Sequence, residues 1–223
     1  QRLTGVNPMA LRRHRSREEP VPEAVVEAAD RCLNEVGSTD RVRDLVPAFR
    51  LYRCDYPELG SARIQGYVRG RAEPGTLTAP TAWFWVDGDD RLMPLAIQLH
   101  PAGGGPDPVF TPKSPRWAWL SARAHVQSAD AHLHEGYYHL LETHLVNEAV
   151  AVAMFRRLHP DHPVRQLLAD HYEDNLAIDS AARNNLLAKD GPIDLGMAAG
   201  VAGVLDAARM RFTTWKWSER TLK

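Results

Sequence analysis

Three histidines recur at intervals of five along one stretch: His134, His139 and His144. Neutral imidazole is a common ligand for iron and zinc, so metal binding is the chemistry this spacing raises first. Five residues of α-helix turn two side chains apart by roughly 140°, which sends successive histidines to different faces. A widened, π-type segment with i→i+5 hydrogen bonds would instead bring His139 and His144 to one side. Solvated histidines, or histidines hydrogen-bonded within a core, are the plainer reading of the same pattern. Zinc has no support, because neither Cys32 nor Cys54 stands at ligand spacing to another cysteine or a histidine. The sequence contains no Gly-x-Ser-x-Gly elbow, so acyl hydrolysis is unsupported.

The elements that must position these histidines follow from periodicity. Between His134 and His144 the one glycine is Gly136, and the next proline is Pro160. With the apolar run from Leu145 to Met154, this predicts one long buried helix over 132–158. Further helices are expected over 117–130, over 164–187 with a break near Asn175, and over 196–217. In the last of these, Gly200, Gly203 and several alanines suit close packing. Val25, Val26, Ala29, Leu33 and Val36 give an amphipathic helix over 22–35. Residues 40–56 read as a connecting element anchored by Leu45, Val46, Phe49, Leu51 and Tyr52, and 60–78 as a surface loop. Two apolar, aromatic-rich runs, 81–86 and 92–99, flank Asp87-Gly88-Asp89-Asp90 and predict a β-hairpin. Residues 101–115, with Gly103-Gly104-Gly105 and five prolines, predict a loop. That triple glycine has no strand-to-helix setting for cradling phosphate. The basic run Arg12-Arg13-His14-Arg15 reads as a solvated segment. The expectation is a single, mainly α domain: 1–115 hold an N-terminal helix, hairpin and loops, and 116–223 the helical core.

Composition narrows the function further. The chain has 223 residues, 44% hydrophobic and 25% charged, with a net charge of −1. That balance gives no reason to expect nucleic acid or an anionic membrane surface as a partner. No apolar run is long enough for an integral membrane segment. Two cysteines do not make a disulfide framework, and they read as reduced thiols of a cytoplasmic protein. Gln1-Arg2-Leu3-Thr4 does not open a signal peptide, and the start without Met reads as a processed or trimmed chain.

A set of motifs occurs in fixed order along the chain. Gly5 to Pro8 comes first, then Pro94 to Leu99, Val109 to Pro112, Trp117 to Ala124 and His134 to His144. His162-Pro163, Gln166 to Leu168 and Ala177 to Leu186 follow. In this order the sequence resembles the first half of the catalytic domain of a lipoxygenase, a non-haem iron dioxygenase of polyunsaturated fatty acids. The resemblance implies the helical half of such a domain with a small β-hairpin element, and no N-terminal β-barrel. It implies that His139 and His144 bind iron, with His134 a neighbour outside the ligand set. Glu135 falls near the pocket, although a helix-face charge paired with Arg183 would explain it too. Leu140 follows the first ligand, and Ile178 and Leu186 match aliphatic side chains that line the fatty-acid channel. Ala182 falls where the family carries Ala or Gly, a choice linked to stereochemistry, and Ala implies the S-type outcome. Ile178, Ala182 and Leu186 also form an i, i+4, i+8 stripe that reads equally as core packing. His162 and His171 match family residues of structural character.

The same resemblance implies a partner. Lipoxygenases complete the iron site with a third histidine, an Asn or His four residues later, and a terminal carboxylate. All of these lie in the half of the domain that the resemblance does not reach, and Leu222-Lys223 is not the family's terminal isoleucine. Two imidazoles are too few protein ligands to hold iron firmly. The implied arrangement is an N-terminal subunit or fragment completed by a C-terminal lipoxygenase-like chain across a large apolar interface. The implied reaction removes hydrogen from a bis-allylic carbon of a polyunsaturated, apolar substrate, to which O2 then adds. Desaturation or tailoring of a polyene metabolite would use the same iron to another end. A metal-free scaffold or ligand-binding subunit is the reading from a different class.

Overall fold

The computed structural model describes residues 8–15, 20–100, 105–214 and 216. Residues 1–7, Gly103, Gly104, Trp217 and Leu222-Lys223, on which some of the expectations above rest, lie outside the described residues. Those described divide into two compact units: one runs to residue 65 and includes 76–131, and the other joins 66–75 to 132 onward.

In the first unit the predicted hairpin forms from β3 (Thr81–Val86) and β4 (Leu92–Gln98). Asp87 ties its turn, accepting hydrogen bonds from the backbone N–H groups of Asp89 and Arg91 at 2.9 and 3.0 Å. Pro94 lacks an N–H for the ladder, and a register shift between Trp83 and Phe84 accommodates it. The hairpin is the middle of something larger than expected. Among the described residues, β1 (Arg12–Arg13), β2 (Leu51–Asp55), β3, β4 and β5 (Val109–Phe110) form a five-stranded antiparallel sheet in sequence order. Three expectations are thereby corrected. The connecting element contributes β2, the basic run contributes β1, and the proline-rich loop contributes β5. β1 and β5 are two residues long, too short to show alternation, and in β2 Leu51 and Cys54, on opposite faces, are both buried, which blurs its own. His14 is not solvated: it is buried with its ring 5.2 Å from that of Trp83.

Helix α1 (Glu23–Glu35) matches its prediction and buries Val25, Ala29, Cys32 and Leu33. The core packs Val25, Ala29 and Leu33 with Leu45, Leu51 and Trp83. Leu45 lies in the short α2 (Val42–Leu45). Phe49 does not anchor this connection: it is exposed, at φ 59°, and the Arg13 guanidinium lies over its ring. The expected surface loop over 60–78 holds α3 (Ala62–Arg69), in which Ile64, Gln65 and Val68 are buried. The Gln65 amide donates to the carbonyls of Leu59 and Leu77, which closes the loop on itself. Cys32 and Cys54 are free and buried, and burial pushes the Cys54 thiol up to about 12.

Helix α4 (Arg116–Leu133) carries the chain into the second unit. It continues without a break into a π-helix over His134–Leu145 and then α5 (Val146–Arg157). The predicted long helix is therefore present but only partly buried. In α5 Ala151 and Met154 face inward, while Val150 and Phe155 are exposed. The expected third helix is broken where predicted. Helix α6 (Pro163–Leu168) and a 3-10 turn (Ala169–Tyr172) lead to Asp174 at φ 59°, and α7 (Asn175–Ala181) starts there. A second π segment, Ala182–Leu186, follows α7. The helix expected over 196–217 forms as α9 (Gly200–Phe212), and a short α8 (Pro192–Gly196), not expected, precedes it. α9 packs on the first π-helix, and Gly136 makes that approach possible. A Cβ there would lie 2.9 Å from the Val204 carbonyl oxygen. Among the described residues, no helix is long and apolar enough to cross a membrane.

Candidate metal and apolar-ligand site

The first π-helix is what brings the histidines together. Its i→i+5 pattern is visible at its end, where the Val146 N–H reaches the Leu141 carbonyl. With five residues making roughly one turn, His139 and His144 fall on one side, and their Nε2 atoms stand 3.2 Å apart. Two nitrogens bound to one metal at roughly 2.0–2.1 Å, at angles between square and tetrahedral, would stand about 2.8–3.4 Å apart. The observed separation falls within that range, and it is equally that of a hydrogen bond between the two rings.

Each imidazole is held through its other nitrogen. His139 Nδ1 lies 3.2 Å from Glu135 Oε2, and His144 Nδ1 lies 2.8 Å from Asp179 Oδ1. A carboxylate accepts only, so these contacts favour hydrogen on each Nδ1, which would leave each Nε2 free to bind a metal. Such a carboxylate–histidine pair is the usual support of a metal-bound imidazole. The donor set and its orientation therefore fit a metal ion. The side chain of His139 is 45% exposed and that of His144 26%, so this side of the site is open to further donors. Among the described residues, no group of three or more His, Cys, Asp or Glu side chains could hold a metal ion.

His134 stands apart from the pair and stacks on His139, with ring centroids 5.6 Å apart. Its Nδ1 shares the Glu135 carboxylate at 3.3 Å. Glu135 thus serves two histidines. The alternative pairing with Arg183 is not formed, because Arg183 reaches Glu148 instead.

Beneath the imidazoles lies a cavity of about 110 Å³. Glu135, His139, Leu140, His144, Ile178, Ala182 and Leu186, the seven residues singled out from the sequence, all line it. Val204 and Ile193, from α9 and α8, close its far wall. The stripe Ile178, Ala182, Leu186 crosses from α7 into the second π segment and still faces one space. It is not packed core, since Ile178 is half exposed.

One residue of this site escapes sequence reasoning. Asp179 is the only buried residue of α7, and its side chain has no exposure. Its neighbour Ile178 belongs to the apolar stripe, so one further step of about 100° around the helix carries Asp179 towards the histidine helix. The signal was an acidic residue beside an apolar stripe.

The family model described as "Lipoxygenase" matches residues 39–223. The chain is 33% identical over 211 residues to the rat polyunsaturated fatty acid (12S)/(13S)-lipoxygenase, epidermal-type, covering 92% of this chain and 30% of that protein. It is 35% identical over 212 residues to the linoleate 9/13-lipoxygenase of Pseudomonas aeruginosa, covering 90% and 30%. It is 31% identical over 205 residues to the human hydroperoxide isomerase ALOXE3, covering 92% and 28%. Among solved structures, a calcium-dependent 11R-lipoxygenase superposes with a TM-score of 0.79 at 25% identity, covering 97% of this chain and 31% of that one. The chain thus spans about 30% of the length of the curated relatives it matches.

Proposed function

The chain belongs to the lipoxygenase family, and from that premise we propose that it contributes the first two iron ligands and one wall of the substrate pocket to a non-haem iron oxidase of polyunsaturated, apolar substrates. The observation that carries this reading is the pair of Nε2 atoms, 3.2 Å apart, set over an apolar cavity. When bound, non-haem iron supplies the one-electron chemistry needed to activate a bis-allylic carbon towards O2.

The chain's own residues prepare the place for that chemistry. His139 and His144 would hold the ion through Nε2, with Glu135 and Asp179 fixing both rings. Leu140, Ile178, Ala182 and Leu186 offer an apolar surface that excludes water and aligns a hydrocarbon chain beneath the imidazoles. The small Ala182 leaves space where a bulkier side chain would fill the cavity. By family precedent it favours the S-type outcome. Two imidazoles leave iron short of protein ligands. The reading therefore calls for a third histidine, an Asn or His and a terminal carboxylate from polypeptide outside these 223 residues, either a second, C-terminal lipoxygenase-like chain or the remainder of the same protein. Relatives include fatty-acid lipoxygenases and a hydroperoxide isomerase, so more than one radical outcome is compatible with family membership.

Metal analysis tests the proposal. The chain is loaded anaerobically with Fe(II), alone and with the complementary polypeptide, beside His139→Ala and His144→Ala. Stoichiometric iron in the completed protein, lost in both variants, is the expected result. Absence of iron from the completed wild-type protein would favour the metal-free scaffold.

A further inference from the structure

The two carboxylates that hold the histidines differ in kind. Glu135 is partly exposed and divides its oxygens between His134 and His139 at 3.3 and 3.2 Å. Asp179 is fully buried and commits one oxygen to His144 at 2.8 Å, while its other oxygen accepts from the Asn175 side-chain amide at 3.2 Å. We infer that Asp179 is a positioning residue for the metal donor: it fixes His144 as the Nδ1–H tautomer and aims Nε2 at its counterpart on His139. The inference deepens the metal reading above and rests on it.

Three features support the assignment. α7 buries Asp179 completely, in a position where packing alone would select an apolar side chain. A buried carboxylate needs partners, and both its oxygens have them, each in a different role. Asn175, one turn earlier on the same helix, sets the carboxylate plane, so that the oxygen facing His144 has little freedom. His144 is thereby oriented from α7, an element separate from the one that bears it.

Two measurements on the protein that contains this chain test the inference. The first is ¹⁵N spectroscopy of the metal-free protein in alkaline buffer with labelled histidine, His144 being assigned by its loss in His144→Gln. Hydrogen on Nδ1 is expected, and a wild-type His144 carrying its hydrogen only on Nε2 would overturn the inference without recourse to any Asp179 variant. The second is Fe(II) affinity, measured anaerobically by competition with a chelator. Asp179→Ala should weaken binding roughly 10–100-fold and return His144 to an Nε2–H form. Asp179→Asn, which keeps an oxygen for Nδ1–H, should restore most of both. Unchanged affinity and tautomer in Asp179→Ala would refute the role. If the wild-type protein binds no Fe(II), the metal reading fails, and the tautomer measurement still decides whether Asp179 orients His144.

Discussion

Single residues decide both the chemistry and local stability here. Type and spacing raise His139 and His144 only as a conditional pair, and the family resemblance is what singles them out as proposed ligands together with the pocket residues. Asp179 is singled out by neither, because its importance arises from a partner 35 positions away. A second, partly exposed acid, Asp194, acts on stability. Hydrogen bonds from the backbone N–H groups of Asp190 and Val201, and then from Arg71, hold its carboxyl below the ordinary 3.8. A depressed carboxyl adds stability that is present above its ordinary value and is lost as pH falls through its native one. Asp194→Ala should therefore lower the melting temperature at pH 7. The gap from wild type should close as the pH is taken below about 3.8, and a melting series against pH checks this.

At the scale of elements, the legible ones are those whose period their own residues set. α1 shows its buried face as i, i+4, i+7 and i+8, and the hairpin declares itself by an Asp-Gly turn between aromatic runs. The π-helix is legible only as a condition: if the histidines act together, the helix must be widened. β1, β2 and β5 were missed because a sheet supplies their partners from elsewhere in the chain, and short strands carry little periodic signal. α3 was hidden by Gly66 and Gly70, which suit a loop equally well. Close packing between the π-helix and α9 gives the element-scale test. Gly136→Ala places a methyl group against Val204, and overpacking of this kind typically costs about 1–3 kcal/mol. Chemical unfolding should read that loss. A variant as stable as wild type would mean that the two elements do not pack as described.

For the whole molecule, the exposed apolar side chains are informative. Leu167, Leu195, Ile178 and Phe155 are 70%, 67%, 50% and 39% exposed, apolar surface that the proposed completion of the domain would cover. The isolated 223-residue chain should enhance the fluorescence of an apolar dye, and the same residues within a polypeptide that completes the domain should not. The division into units was not legible, since nothing in 66–75 marks it as belonging with residues after 132. That interleaving bears on how the protein is made. Tyr67 hydrogen-bonds Asp206, 139 positions later, and Arg71 pairs with Asp194, 123 positions later. At roughly 5–20 residues per second on the ribosome, Tyr67 waits about 7–28 s for its partner. During that interval the first unit can close around its sheet, while residues 66–75 stay open to chaperones and proteases.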